Sequence, residues 1–207
     1  MNPRLLVSGF FLRRSAWSVD IQGDDIDVFR DSAECTLDRW LEEAEKWVAV
    51  QNDQVEIIGH SFGGYLAQCL AARLGDQVSH LWLLSALTSE GGCALESYQQ
   101  SEQSELFKIG KLDLSEGKIR LSDSRQFLSL LDLPVPLAQS EPVQLLLDLP
   151  PPEITRVRCP VSYVVTERDK LTPSSVQRHF ARILNAKEIS CPGGHIFPLH
   201  NIQWLRG

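Results

Sequence analysis

Apolar and polar positions change period several times along this chain, and each change marks an element. Leu5-Leu6-Val7 is a short apolar run that stops at Ser8-Gly9, predicting a strand that enters a loop near residue 9. Ile26-Asp27-Val28-Phe29 is a second short strand candidate. From 36 to 50, Leu37, Trp40, Leu41, Ala44, Trp47 and Val48 recur at helical spacing, with Thr36 where an N-cap belongs. Val55, Ile57 and Ile58 give a buried strand by their β-branching. Leu66, Leu70 and Ala71 then repeat as a helix that runs to about Leu74 and stops at Gly75. Val78 to Leu84 and Val161 to Val165 read as buried strands. A helix follows from about Pro173 to Leu184, with Thr172 as N-cap and Pro173 in the first turn, and Lys187 to Cys191 is a short final strand. Strands alternating with helices predict an α/β fold, a mainly parallel sheet flanked by helices.

The stretch 89–157 breaks this rhythm. It opens polar around Gly91-Gly92, then alternates as a hairpin candidate about Ser115-Glu116-Gly117. It continues with leucine-rich pieces (Leu128, Leu130, Leu131, and Leu145 to Leu147) before Pro150-Pro151-Pro152. Its reading is an insertion between two sheet strands, which divides the chain into a core of 1–88 and 158–207 and a small inserted cap of 89–157. The leucines are better explained by packing of that cap than by substrate contacts.

Bulk properties narrow the class of function. The 207 residues suit one domain with a good core. A formal net charge of -7 argues against a nucleic-acid partner, and no apolar run is long enough to span a membrane. The five cysteines (Cys35, Cys69, Cys93, Cys159, Cys191) show neither CxxC pairs nor metal-ligand spacing. They read as reduced thiols in a cytoplasmic protein without a metal site, with Cys69 a small buried hydrophobe.

Between the Val55 strand and the following helix stands Gly59-His60-Ser61-Phe62-Gly63-Gly64. Gly59, Ser61 and Gly63 form G-x-S-x-G, which on a strand-to-helix turn holds a serine hydroxyl above the sheet, near the helix's N–H groups. Taken alone, the motif also suits an ordinary tight turn. A serine needs an oriented base, and two later strand ends supply the parts in the order Ser, acid, His. Asp169 follows the Val161 strand, with Glu167 as a rival carboxylate. His195 follows Pro192-Gly193-Gly194 after the last strand, with His200 nearby. His60, His80 and His179 have sufficient explanations as packing or surface residues, and Phe11 and Trp17 are candidates for an acyl pocket or for core.

GHSFGG, TERDKLTP and GGHIFP together resemble the α/β-hydrolase superfamily, over most of the chain outside 89–157. The resemblance implies Ser61 as nucleophile, Asp169 as orienting acid, His195 as general base and no cofactor. It also implies an oxyanion hole from the N–H groups of Phe62 and Phe10, although Ser8-Gly9 stands where the family usually has His-Gly. The family's Asp-x-x-Gly-x-Gly-x-Ser loop has no counterpart after Val28. The chain starts at what would be the family's third strand, and twelve residues follow His195, implying truncated termini. Size and acidity resemble the compact bacterial carboxylesterases, among them the pimeloyl-carrier-protein methyl ester esterases of biotin synthesis, and thioesterases. The implied activity is hydrolysis of an ester or thioester through an acyl-enzyme, on a small-molecule or carrier-bound acyl group, with an acyl carrier protein as candidate partner. Arg13, Arg14, Lys108, Lys111, Lys118 and Arg120 are its candidate basic patch, or simply a solvated face. The alternatives are lyase or lactone-forming chemistry on the same fold, and a non-catalytic binding protein.

Overall fold

The computed structural model describes residues 2–27, 36–89, 118–121, 124–138, 140–142 and 150–206. Six strands form one all-parallel sheet: β1 (Arg4–Val7), β2 (Asp24–Asp25), β3 (Val55–His60), β4 (Val78–Leu84), β7 (Val161–Thr166) and β8 (Lys187–Cys191). Their order across the sheet is β2-β1-β3-β4-β7-β8. Parallel neighbours need crossovers; the helices α1 (Leu37–Ala49), α2 (Phe62–Leu74) and α4 (Ser174–Ile183) lie in those from β2 to β3, β3 to β4 and β7 to β8. Because the strands all point the same way, their carboxyl ends share one edge of the sheet. There the loops after β1, β3, β7 and β8 can meet.

The central strands are buried on both faces, which is why they read as continuous apolar runs. Leu5, Leu6, Val7, Ile57, Ile58, Leu81, Leu83, Leu84, Val164 and Val165 are wholly enclosed, each contributing roughly 1.5–3 kcal/mol by leaving water. Helix α1 buries Trp40, Leu41, Ala44 and Val48, and Thr36 Oγ1 accepts the Arg39 N–H at 3.3 Å as its N-cap. Helix α2 ends at Gly75, whose φ of 56° suits a residue without a side chain.

Two expected boundaries moved. The second strand lies at Asp24–Asp25, not on Ile26 and Asp27, because there its register matches Leu5 and Leu6 of β1; Val28 and Phe29 lie outside the described residues. Helix α4 has Pro173, not Thr172, at its N-cap. Thr172 is engaged elsewhere: its N–H goes to Asp169 and its carbonyl accepts from Gln177. The Pro173 carbonyl takes the first helical N–H groups, from Val176 and Gln177.

Within 89–157, none of the described residues joins the main sheet. Strand β5 (Lys118–Arg120) pairs antiparallel with β6 (Ser140–Pro142), with helix α3 (Ser124–Leu130) between them. Leu131 is fully buried, and Leu128 and Leu130 pack against the core. The first arm of the expected hairpin and Leu145 to Leu147 lie outside the described residues.

Candidate active site

Ser61 occupies the turn between β3 and α2 with φ 53° and ψ -125°, a conformation costly for a non-glycine residue. Its N–H donates to the Leu84 carbonyl at 3.0 Å, and its own carbonyl accepts from Gly64 and Leu87 at 2.9 and 3.1 Å. The glycines around it make room. A Cβ on Gly59 would lie 2.6 Å from Gly64 Cα, and one on Gly63 would lie 2.1 Å from the Val7 carbonyl oxygen. The start of α2 is thus pressed against the end of β1. The loop after β1 reaches the serine itself, since a Cβ on Gly9 would lie 2.9 Å from Ser61 Cβ. Phe10, next in that loop, stacks its ring on Phe62 with centroids 4.0 Å apart.

Asp169 follows β7, and His195 follows β8. The two loops are joined by main-chain bonds from Glu167 N–H to Cys191 O and from Arg168 N–H to Gly193 O. His195 Nδ1 lies 2.7 Å from Asp169 Oδ2, and both side chains are essentially buried. Because the carboxylate accepts, Nδ1 carries the proton and Nε2 is the basic nitrogen of neutral His195. Asp169 gathers four further donors: Leu171 N–H and Thr172 N–H on Oδ1, and Thr166 Oγ1 and Gln177 Nε2 on Oδ2. Burial alone would push its carboxyl up, but His195 and the Thr172 and Leu171 N–H groups outweigh burial and hold it below the usual aspartate value.

Glu167, the rival carboxylate, points elsewhere. It is partly exposed and bonded to Arg178 and Ser190. His200 ends α5 (Phe197–His200) and is exposed. His60 is fully buried beneath the site, donating through Nε2 to the His195 carbonyl at 2.9 Å. Burial first, and His195 beside it, push His60 down to about 3, so it stays neutral and packs rather than titrating. Ser85 Oγ also reaches the His195 carbonyl, at 3.3 Å. Asp132, from 89–157, lies against the residue before His195: a Cβ on Gly194 would fall 1.7 Å from Asp132 Oδ2. A side chain at Gly194 would therefore displace the Asp132 carboxylate.

Sequence reasoning missed Thr166, Gln177 and Ser85. Gln177 carries a readable signal, because it lies at helical spacing with buried Phe180 and Ala181. A polar residue on the apolar face of a helix needs a partner inside. Of the two pocket candidates, Phe11 is 1% and Trp17 is 4% exposed. Phe11 meets Phe127 edge-on, while Trp17 donates to Ser8 Oγ and faces His60. Both rings are closed into packing, with almost no surface turned to a ligand. Cys69 is only half-buried, though burial pushes its thiol up to about 12. No helix among the described residues is long and apolar enough to cross a membrane.

The model of the alpha/beta hydrolase family matches residues 5–205. The chain belongs to this family. No curated protein sequence matches it. Among solved structures, this hydrolase-family chain superposes on a pyrethroid hydrolase, PytH, with TM-score 0.81 and 18% identity over 97% of this chain and 92% of that one. Polyneuridine aldehyde esterase gives 0.70 and 15% over 99% and 96%. An extracellular α/β-hydrolase from a Paenibacillus species gives 0.62 and 15% over 100% and 96%. At such identities these likenesses establish the shared fold of the family.

Proposed function

We propose that this chain is a serine hydrolase of carboxylic esters or thioesters. The observation that carries the reading is the buried Asp169–His195 bond at 2.7 Å, in loops that share a sheet edge with the strained Ser61 turn. In this reading His195 Nε2 takes the Ser61 hydroxyl proton as Oγ attacks the acyl carbon. The C=O pair moves to oxygen, where the N–H groups of Phe62 and Phe10 stabilise the oxyanion, each such donor worth roughly 3 kcal/mol of barrier. The imidazolium, steadied by Asp169, protonates the leaving alcohol or thiol, and an acyl-Ser61 ester remains. Water repeats the sequence: Nε2 removes its proton, the acid leaves, and Ser61 is regenerated. No step calls on a metal or an organic cofactor.

The name of one structural relative, an esterase, agrees with an ester substrate. Within that class a small free ester fits better than a carrier-bound one. Two cations of the expected docking patch are engaged internally, Arg13 with Glu141 and Asp27, and Arg14 with the Trp17 and Ile21 carbonyls. Lys108 and Lys111 lie outside the described residues.

Turnover of p-nitrophenyl acetate, and labelling by a fluorophosphonate, test the reading. Wild type should hydrolyse the ester and take up one label on Ser61, and Ser61→Ala should lose label and at least about 10⁴-fold in kcat. An unlabelled wild type that turns over neither free nor carrier-bound activated esters would sink the proposal.

A further inference from the structure

The residue after Phe10 is held in an unusual way. Phe11 has φ 62°, a left-handed conformation that is an outlier for a bulky side chain. It sits third in a turn closed by Leu12 N–H to Gly9 O at 3.2 Å, a position where glycine is the ordinary choice. Strain of this kind persists only where neighbours over-determine it. Three neighbours do so, and all come from the 89–157 segment. Glu141 Oε1 accepts the Phe11 N–H at 2.6 Å, Ala138 N–H donates to the Phe11 carbonyl at 2.9 Å, and the Phe127 ring meets the Phe11 ring edge-on.

Glu141 is the polar centre of this clamp. Its side chain is fully buried, and Arg13 grips it with two bonds, 2.7 Å to Oε1 and 3.0 Å to Oε2. Asp27 braces Arg13 from the other side at 3.1 Å. A carboxylate is buried this completely only when paired and hydrogen-bonded. Here its oxygens accept from two points of one short loop, the backbone of residue 11 and the side chain of residue 13. That loop begins at Gly9, in contact range of Ser61.

We propose that Glu141 is a positioning residue for the oxyanion hole, fixing the Phe10–Phe11 peptide from the inserted segment through the Phe11 N–H. The inference rests on the proposed serine-hydrolase reading, in which Phe10 N–H is one of the two oxyanion donors. Its consequence is that half of the oxyanion hole is completed by a segment outside the main sheet. Seating that segment and organising the transition-state site become one event.

A buried acid whose role was only structural would lower the folded fraction and leave kcat per folded molecule alone. A positioning residue lowers kcat per active molecule with little change in KM, because the oxyanion exists only in the transition state. The experiment compares wild type, Glu141→Ala and Glu141→Gln on p-nitrophenyl acetate, with active molecules counted by fluorophosphonate labelling carried to completion. It also measures inhibition by phenylboronic acid, which forms a tetrahedral adduct on the serine. Glu141→Ala should lose 10- to 100-fold in kcat per labelled site, with KM within about threefold, and bind the boronate more weakly by a similar factor to its loss of kcat/KM. Glu141→Gln keeps an acceptor for the Phe11 N–H and should recover most of both. Unchanged kcat per labelled site in Glu141→Ala would overturn the proposal, as would equal losses in the two variants with boronate affinity unaffected. Should Glu141→Ala fail to fold, a 10- to 100-fold loss of kcat per labelled site in a folded Glu141→Gln would also overturn it. Failure of wild type to label at Ser61 removes the parent reading, whereas normal labelling with an indifferent Glu141 removes this inference alone.

Discussion

In the proposed serine-hydrolase site, two buried carboxylates support the two halves, and they are held in opposite ways. Asp169 sits in the core, one loop beyond β7, and takes its partners from nearby sequence: Thr166, Leu171, Thr172 and Gln177, besides His195. His195 and the Thr172 and Leu171 N–H groups overcome burial and keep it ionised below the usual range. Glu141 takes its partners from 130 and 128 residues away, at Phe11 and Arg13. Burial there outweighs Arg13 and the Phe11 N–H, so its carboxyl is raised. The core supports the acid–base half with a saturated local network. In the proposed site, the inserted segment supports the oxyanion half with the long-range Glu141 pair, a main-chain bond from Ala138 and the Phe127 ring.

The largest test of that contrast is Asp169→Asn. Every group around Asp169 is a donor, so an amide nitrogen placed there faces hydrogens instead of lone pairs. The amide would donate to His195 Nδ1 and move the imidazole proton to Nε2, removing the base. We expect kcat on p-nitrophenyl acetate to fall about 10⁴-fold, the scale known for loss of the correct tautomer, with stability reduced as well. A loss below tenfold would mean that His195 draws its orientation from elsewhere, such as its carbonyl contacts with His60 and Ser85.

A smaller effect distinguishes the two carboxylates by sign. A lowered carboxyl stabilises the fold above its ordinary unfolded value, and that contribution is lost as pH falls through the folded one. Wild type should therefore lose its advantage over Asp169→Asn as pH drops through and below the ordinary aspartate value of 3.8. A raised carboxyl behaves oppositely, because the folded state binds more protons just above the ordinary value. Wild type should lose ground to Glu141→Gln as pH rises through and above 4.5. His60, depressed to about 3, makes stability fall as pH drops below its ordinary 6.5. That slope is common to wild type and Glu141→Gln and drops out of their difference. Urea unfolding from pH 3 to 7 reads both differences, and slopes of the same sign would end the contrast between the carboxylates.

How much the sequence discloses follows the same division. The sheet and its helices are legible because period-2 and period-3.6 patterns are local, and Asp169 and His195 meet where strand ends and loop glycines imply. Strand β2 is misread by two residues because its only determinant is pairing with Leu5 and Leu6, which leaves no apolar pattern of its own. Gln177 leaves a trace on the apolar face of α4. Glu141 leaves none, since nothing in residues 140–142 distinguishes a buried acid from a surface one until Phe11 and Arg13 are brought to it. Arg13 is misjudged for the same reason: an arginine in a loop reads as available charge, and only the fold reveals its two carboxylate partners.

The smallest effect concerns the carboxylate two positions before Asp169. Glu167 has an equally ionic neighbourhood, with Arg178 and the Ser190 hydroxyl, and these hold its carboxyl below the usual range. What differs is solvent: its side chain is 32% exposed, where that of Asp169 is fully enclosed. Water screens the pair and rehydrates whichever partner is left behind, so such a contact contributes no more than about 1 kcal/mol. Glu167→Gln should keep kcat within about threefold of wild type and lose less than about 1 kcal/mol in urea unfolding, and the loss should fade as salt is raised. A kcat as low as that of Asp169→Asn would transfer the role of acid to Glu167.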